Sequence, residues 1–233
     1  LFNQLAYFLP HLLALSGSSP FWRGRNTGLK SYRLAVFNEL PRTGLPESFV
    51  SFAEYERTID ILVSAGVIED GTKIWWDLRP SHRFPTLETR IMDVQPRLEH
   101  AVALAALVQA LVRMLCRLRD QNMRWREYER FLIAENRWRA QRYGTTEGMI
   151  DFGRREIVPL VDLMQELQEL LAEDAELFES QAEIEHAITV AEKGNSAQDQ
   201  RAVLQASLDA GKTQDDSMRD VVKFLTQEFH RDL

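Results

Sequence analysis

The sequence predicts an α+β fold whose last third is entirely helical. Three observations carry that prediction. Apolar residues recur at helical spacing at the start of the chain and again over long stretches after residue 97. Between them, residues 68–92 form short runs rich in Trp, Ile and Thr that alternate in character, as strands do. From residue 160 onward only amphipathic helical patterning is left.

Each element follows from a local signal. Leu5, Phe8, Leu9, Leu12 and Leu13 predict a helix over 1–16, and Ser16-Gly17-Ser18-Ser19-Pro20 ends it. Residues 21–33 read as a polar loop with four basic residues, two glycines and no acid, and residues 41–46 as a turn. Ser51-Phe52-Ala53-Glu54 has the form of a capping box, with Ile59, Leu62 and Val63 continuing the helix. Residues 68–79 read as a hairpin around Asp70-Gly71. Residues 86–92 read as a strand with Leu87, Thr89 and Ile91 on one face and Thr86, Glu88, Arg90 and Met92 on the other. A long helix over 98–119 is apolar on most sides at 101–111, which predicts burial. A further helix spans 125–142, residues 150–159 are a short extended connection, and residues 160–233 are helical with breaks at Gly194-Asn195-Ser196 and Gly211.

The bulk numbers narrow the class. A chain of 233 residues holds one large domain or a domain with an appendage, and the composition divides it into residues 1–150 and a helical appendage over 151–233. The net charge of −7 hides an asymmetry, because residues 1–150 hold 20 Lys+Arg against 16 Asp+Glu while residues 151–233 hold 8 against 19. A basic first part suits an anionic small molecule, and an acidic tail argues against nucleic acid. Only five of the 28 basic residues are Lys, which favours bidentate recognition of phosphate or carboxylate over diffuse steering. The single cysteine, Cys116, sits in an apolar helical run and fits a core thiol in a reducing, cytoplasmic setting. Arg113 interrupts the best candidate for a bilayer span, so no membrane association is expected. The first residue is Leu1, and the opening residues read as the middle of a helix with no N-cap, so the chain reads as one lacking its beginning.

Chemistry concentrates between Trp75 and Asp93, where Asp77, Arg79, Arg83, Glu88, Arg90 and Asp93 crowd a segment of strand-like pattern. Glu88 and Arg90 are two residues apart and share a face. Carboxylate oxygens suit Mg²⁺, and a guanidinium suits phosphate, so the pair has the residue types to hold a metal ion and an anion together. A solvated salt-bridge ladder would give the same pattern. Arg33 has the plain alternatives of capping a helix or pairing with Glu39, and Asp77 that of orienting Arg79.

Leu12–Trp22, Thr27-Gly28, Ser31-Tyr32-Arg33, Trp76-Asp77-Leu78-Arg79-Pro80-Ser81, Thr86–Asp93, Glu135-Asn136-Arg137-Trp138-Arg139-Ala140 and Arg142-Tyr143-Gly144 occur in an order that resembles the carboxylate–amine ligase family, also called type 2 glutamate–cysteine ligase. The likeness runs over about residues 5–145. It implies part of a glutamine-synthetase-like antiparallel sheet flanked by helices. The implied reaction phosphorylates a carboxylate of glutamate or a similar substrate with ATP and Mg²⁺ or Mn²⁺, and an amine such as cysteine then attacks the acyl phosphate. By carry-over Glu88 is a metal ligand, Arg79 and Arg90 act on the phosphoryl group, and Arg33 holds a substrate carboxylate. Asp77, Asn136, Arg137 and Arg142 fall in the binding motifs. The family pattern also has a Gly-x-Glu-x-Glu strand and a His-x-His pair, and neither occurs here. The expectation is therefore a C-terminal portion of such an enzyme, inactive by itself, that forms a homo-oligomer or associates with an N-terminal half. The rival is a non-catalytic binding or interaction protein that keeps the ligase fold.

Overall fold

The computed structural model describes residues 1–231. The chain opens with α1 (Phe2–Leu5), a 3₁₀ turn at Ala6–Phe8 and α2 (Leu9–Ser16). Pro10 is accepted because the first helical turn needs no bond from its nitrogen, and every residue of α2 is buried. The stretch read as a loop contains a hairpin, β1 (Phe21–Trp22) with β2 (Arg25–Asn26), turning through Arg23 and Gly24 at positive φ. Next come α3 (Tyr32–Phe37), β3 (Thr43–Gly44) and α4 (Phe52–Ser64). Ser51 caps α4 by accepting from the Glu54 amide, while the Glu54 carboxylate accepts from Val50, one residue earlier than the capping box would have it. Then follow β4 (Trp75–Trp76), β5 (Leu78–Pro80), β6 (Leu87–Thr89), α5 (Leu98–Asp120), α6 (Arg130–Tyr143), β7 (Met149–Asp151) and β8 (Glu156–Val158). The last third is α7 (Leu160–Leu170), α8 (Ala172–Leu177), α9 (Gln181–Lys193), α10 (Ser196–Asp209) and α11 (Gln214–His230). Of the helical pattern foreseen to residue 233, Asp232 and Leu233 lie outside the described residues.

The α+β class holds, and three expectations about strands change. Among the described residues there is no continuous antiparallel sheet, but four separate two-stranded ladders, of which β3–β4 is parallel. Strands of two or three residues leave too short a ladder to recruit further neighbours. The hairpin expected at Asp70-Gly71 is absent, because the Asp70 carboxylate accepts from the Thr72 amide at 2.7 Å and caps a 3₁₀ turn over Gly71–Lys73. That turn sends Trp75 and Trp76 alongside β3 instead. The strand foreseen over 86–92 is regular only at Leu87–Thr89. Beyond it the Arg90 amide donates to the Asp77 carbonyl, and the carbonyls of Arg90, Ile91 and Met92 turn toward the Arg33 guanidinium.

One apolar cluster runs from Leu5 to Ala191, so the last third shares a core with the first part. Its centre is α5, whose Leu104, Leu107, Leu111 and Met114 are buried and which packs most extensively on α9. Each such side chain contributes about 2 kcal/mol by leaving water. By length and composition alone α5 could cross a membrane, which revises the reading that Arg113 disqualifies it. In this fold it is the central core helix. A smaller cluster of Tyr55, Ile59, Ile68 and Ile74 sits beneath α4.

Candidate functional site

Asp93 gathers the polar groups around which the site is built. Its carboxylate accepts from the Ser18 amide at 3.0 Å, the Ser19 hydroxyl at 2.8 Å, the Ser31 hydroxyl at 2.9 Å and the Arg33 Nε at 2.7 Å. The serines that end α2 thus meet the residues that open α3. Arg33 spends its Nη2 on three carbonyls, donating to Ile91 at 2.6 Å, Met92 at 3.0 Å and Arg90 at 3.3 Å. Its partner is Asp93, not Glu39. Four bonds to main chain and carboxylate make it a brace for the segment that carries Arg90.

The β5–β6 ladder has two unlike faces. Arg79 stands opposite Glu88 in register, and Pro80 stands opposite Leu87 on the other face. Arg79 Nε donates to Glu88 Oε2 at 2.9 Å, while its Nη1 donates to the carbonyls of Thr72 and Ile74 at 2.7 and 2.8 Å. Arg90 Nη1 lies 3.8 Å from the same Glu88 oxygen, so Glu88 and Arg90 do share a face, with Arg79 beside them. Arg90 differs from its neighbours in one respect: its Nε is buried and has no hydrogen-bonding partner. Burial, together with the nearby Arg79 and Arg33 cations, lowers its pKa below the usual guanidinium range, and Glu88 offsets this only in part. A guanidinium in that position gains from an incoming anion.

The other sequence-chosen residues fall in separate places. Asp77 is buried and pairs with Arg137 at 2.6 Å, so it orients Arg137 and not Arg79. Arg137 also donates to the Asn38 side chain at 3.1 Å, which ties α6 to the end of α3. Asn136 exchanges two hydrogen bonds of 2.8 Å with the main chain of Ile150, pinning α6 to β7. Arg142 donates to the Gly28 carbonyl at 2.5 Å, and a methyl group on Gly28 would collide with that guanidinium. The structure therefore brings Arg33, Arg79, Glu88 and Arg90 together and leaves Asn136 and Arg142 as separate clasps. Their bonds in this chain are to protein atoms.

Sequence reading passed over two features. One is the convergence on Asp93, for which Ser18, Ser19 and Ser31 were the available signal. The other is Lys30, which is buried and whose ammonium is pushed down to about 8 by desolvation and by Arg201. A cavity of about 1030 Å³ lies on the far face of β5–β6 and is lined chiefly by apolar groups, among them Phe52, Pro80, Phe84, Leu87 and Val112, with Tyr55 at its wall. It is not the charged cluster.

Glu88 does not fit a metal site by itself. One of its oxygens is taken by Arg79 and two guanidiniums flank it, so the local charge opposes a cation. The arginines do fit a phosphate or carboxylate group.

The α+β fold thus presents clustered guanidiniums around one unpartnered donor, a residue set whose chemistry suits an anion. The chain belongs to the glutamate–cysteine ligase family 2, whose model matches residues 1–224. Relatives named "Putative glutamate--cysteine ligase 2" include a Ruegeria pomeroyi protein, 64% identical over the whole chain and 60% of that protein. One from Rhodospirillum rubrum is 60% identical over 97% of the chain and 58% of its own length. One from Chloroflexus aggregans is 44% identical over 96% of the chain and 57% of its own length. The chain thus spans about three fifths of the length of these relatives.

Proposed function

We propose that this chain carries the phosphate-facing part of an ATP-dependent carboxylate–amine ligase with a glutamine-synthetase-like catalytic domain. The single observation that carries the reading is Arg90, a partly buried guanidinium with an unpartnered Nε held between Arg79 and Arg33. Membership of a glutamate–cysteine ligase family supports ligase chemistry, and glutamate and cysteine are the proposed substrates. ATP supplies the phosphoryl group that makes the carboxylate reactive. Arg90 offers its free donors to the oxygens of that group as negative charge builds on them. Glu88 and Arg79 fix the direction in which Arg90 points. Arg33 holds the main chain at 90–92 and presents its remaining surface to the substrate carboxylate. Mg²⁺ or Mn²⁺ would need ligands beyond Glu88. Cys116 is a free thiol, which suits a cytoplasmic, reducing setting.

The test is an assay of ADP and amide formation from ATP, glutamate and cysteine. It compares this chain with the same chain joined to the N-terminal part of the 64% identical relative. The joined protein is expected to turn over and the chain alone is not. A joined protein that is folded and binds glutamate yet forms neither product would favour a non-catalytic binding protein.

A further inference from the structure

His100 and His186 take no part in the chemistry above. His100 lies in the first turn of α5 and His186 in the middle of α9, at the most extensive helix contact in the molecule. Their rings are 5.0 Å apart between centroids and inclined at 44°. His100 is only 6% exposed, and its Nδ1 has no hydrogen-bonding partner. The buried Nε2 of His186 has none either. A polar atom left unpaired in a core is costly. Two such nitrogens at one helix–helix contact call for a third body.

Glu99 supplies the remaining donor. One ligand atom from each of Glu99, His100 and His186 lies within 4.8 Å of the other two, and Glu99 Oε1 is 4.0 Å from His186 Nε2. Two imidazoles and a carboxylate, with a fourth position open to water, are a donor set that divalent transition metals accept. The surrounding charge agrees. Arg97 is the cation nearest the group, and it faces three carboxylates: Glu99 at 4.0 Å, Asp199 at 3.9 Å and Glu228. Arg231 lies 3.6 Å from Glu228 as well, so with neutral histidines the three carboxylates outweigh the two arginines by one charge. Bonds of about 2.0–2.1 Å would draw the three atoms together by roughly an ångström. Glu99 is exposed in the first turn of its helix and has room to move.

We propose that Glu99, His100 and His186 bind one divalent transition-metal ion of the zinc class, which fastens α5 to α9 at a place separate from the arginine cluster. The experiment strips the purified chain with a chelator and titrates it with Zn²⁺ by calorimetry and with Co²⁺ by visible absorption. The expected result is one equivalent bound, the intense ligand-field bands of low-coordinate Co²⁺, and a higher unfolding temperature with saturating Zn²⁺. His186→Ala is expected to weaken binding roughly a hundredfold and Glu99→Gln roughly tenfold, while both keep the circular dichroism of the parent. Absence of stoichiometric binding, or binding that both substitutions leave unchanged, would overturn the site. Either result is independent of the ligase reading, because Arg90 takes no part in it.

Discussion

Five arginines chosen from the sequence have the same chemistry and differ in what the fold leaves them free to do. Arg33, Arg79, Arg137 and Arg142 each donate to protein acceptors, whereas Arg90 keeps a buried nitrogen unbonded. Substituting Arg137 by Ala strands the Asp77 carboxylate in the core, and a loss of about 3–5 kcal/mol is expected in urea unfolding. Arg90→Ala breaks only a partly exposed ion pair with Glu88 at 3.8 Å. In the joined, active protein it is expected to lower kcat by roughly 10²–10³ while the unfolding midpoint barely moves. Equal losses of stability in the two variants would count against this division of labour. The residue types were legible in the sequence; their partners were not, because a carbonyl such as Ile91 accepts Arg33 only once distant segments have met, and those of Thr72 and Ile74 accept Arg79 only once the intervening turn has formed. His11 makes a different point. Complete burial lowers it to about 4 from an ordinary value near 6.5. Between those values the unfolded chain holds a proton that the native one refuses. Stability therefore rises as pH climbs from about 4 to about 6.5 and is flat in this respect above, with a slope of up to about 1.4 kcal/mol per unit. Urea unfolding of the parent and His11→Phe over that range would check it, with the variant showing the shallower dependence.

Among the elements, long helices were readable and short strands were not. Periodicity over a dozen or more residues places α4 and α5 close to where they occur and finds α6, which begins at Arg130 and not at residue 125, whereas two residues such as Thr43–Gly44 contain no period at all. The breaks of the last third at Gly194 and Gly211 were marked by composition, but those at Leu171 and Phe178 fall in helix-forming sequence that carries no breaker. Turn glycines separate backbone need from packing need. Gly24 sits at φ +74° with open space where a side chain would go. Gly148 sits at φ +69°, and an added methyl group would run into the Val158 carbonyl of β8. Gly24→Ala is expected to cost about 1 kcal/mol and Gly148→Ala about 2–5 kcal/mol by thermal unfolding. Similar costs would mean that β7–β8 gives way easily.

For the molecule as a whole, the apolar cavity is flanked by side chains in water: Val50 is 97% exposed, Phe52 61% and Phe84 67%. Patches of this kind drive association. The chain is expected to bind an apolar fluorescent dye and to sediment as larger species as concentration rises, and Phe84→Glu should reduce both; a dye-free monomer at all concentrations would contradict it. The fold's first and last thirds are also stitched directly. Asn195 donates to the Ala14 carbonyl across 181 positions of sequence, Gln200 to that of Ser18 across 182, and Arg201 to that of Leu29 across 172. The turn that delivers Ser18 and Ser19 to Asp93 is therefore clamped by α10. During synthesis, at about 5–20 residues per second, roughly 10–40 s separate the emergence of that turn from the arrival of its clamp. A ribosome-bound intermediate ending before residue 195 would already possess the residues of the arginine cluster. It is expected to wait for the final helices before they settle, and limited proteolysis of chains stalled before and after residue 200 would show the difference.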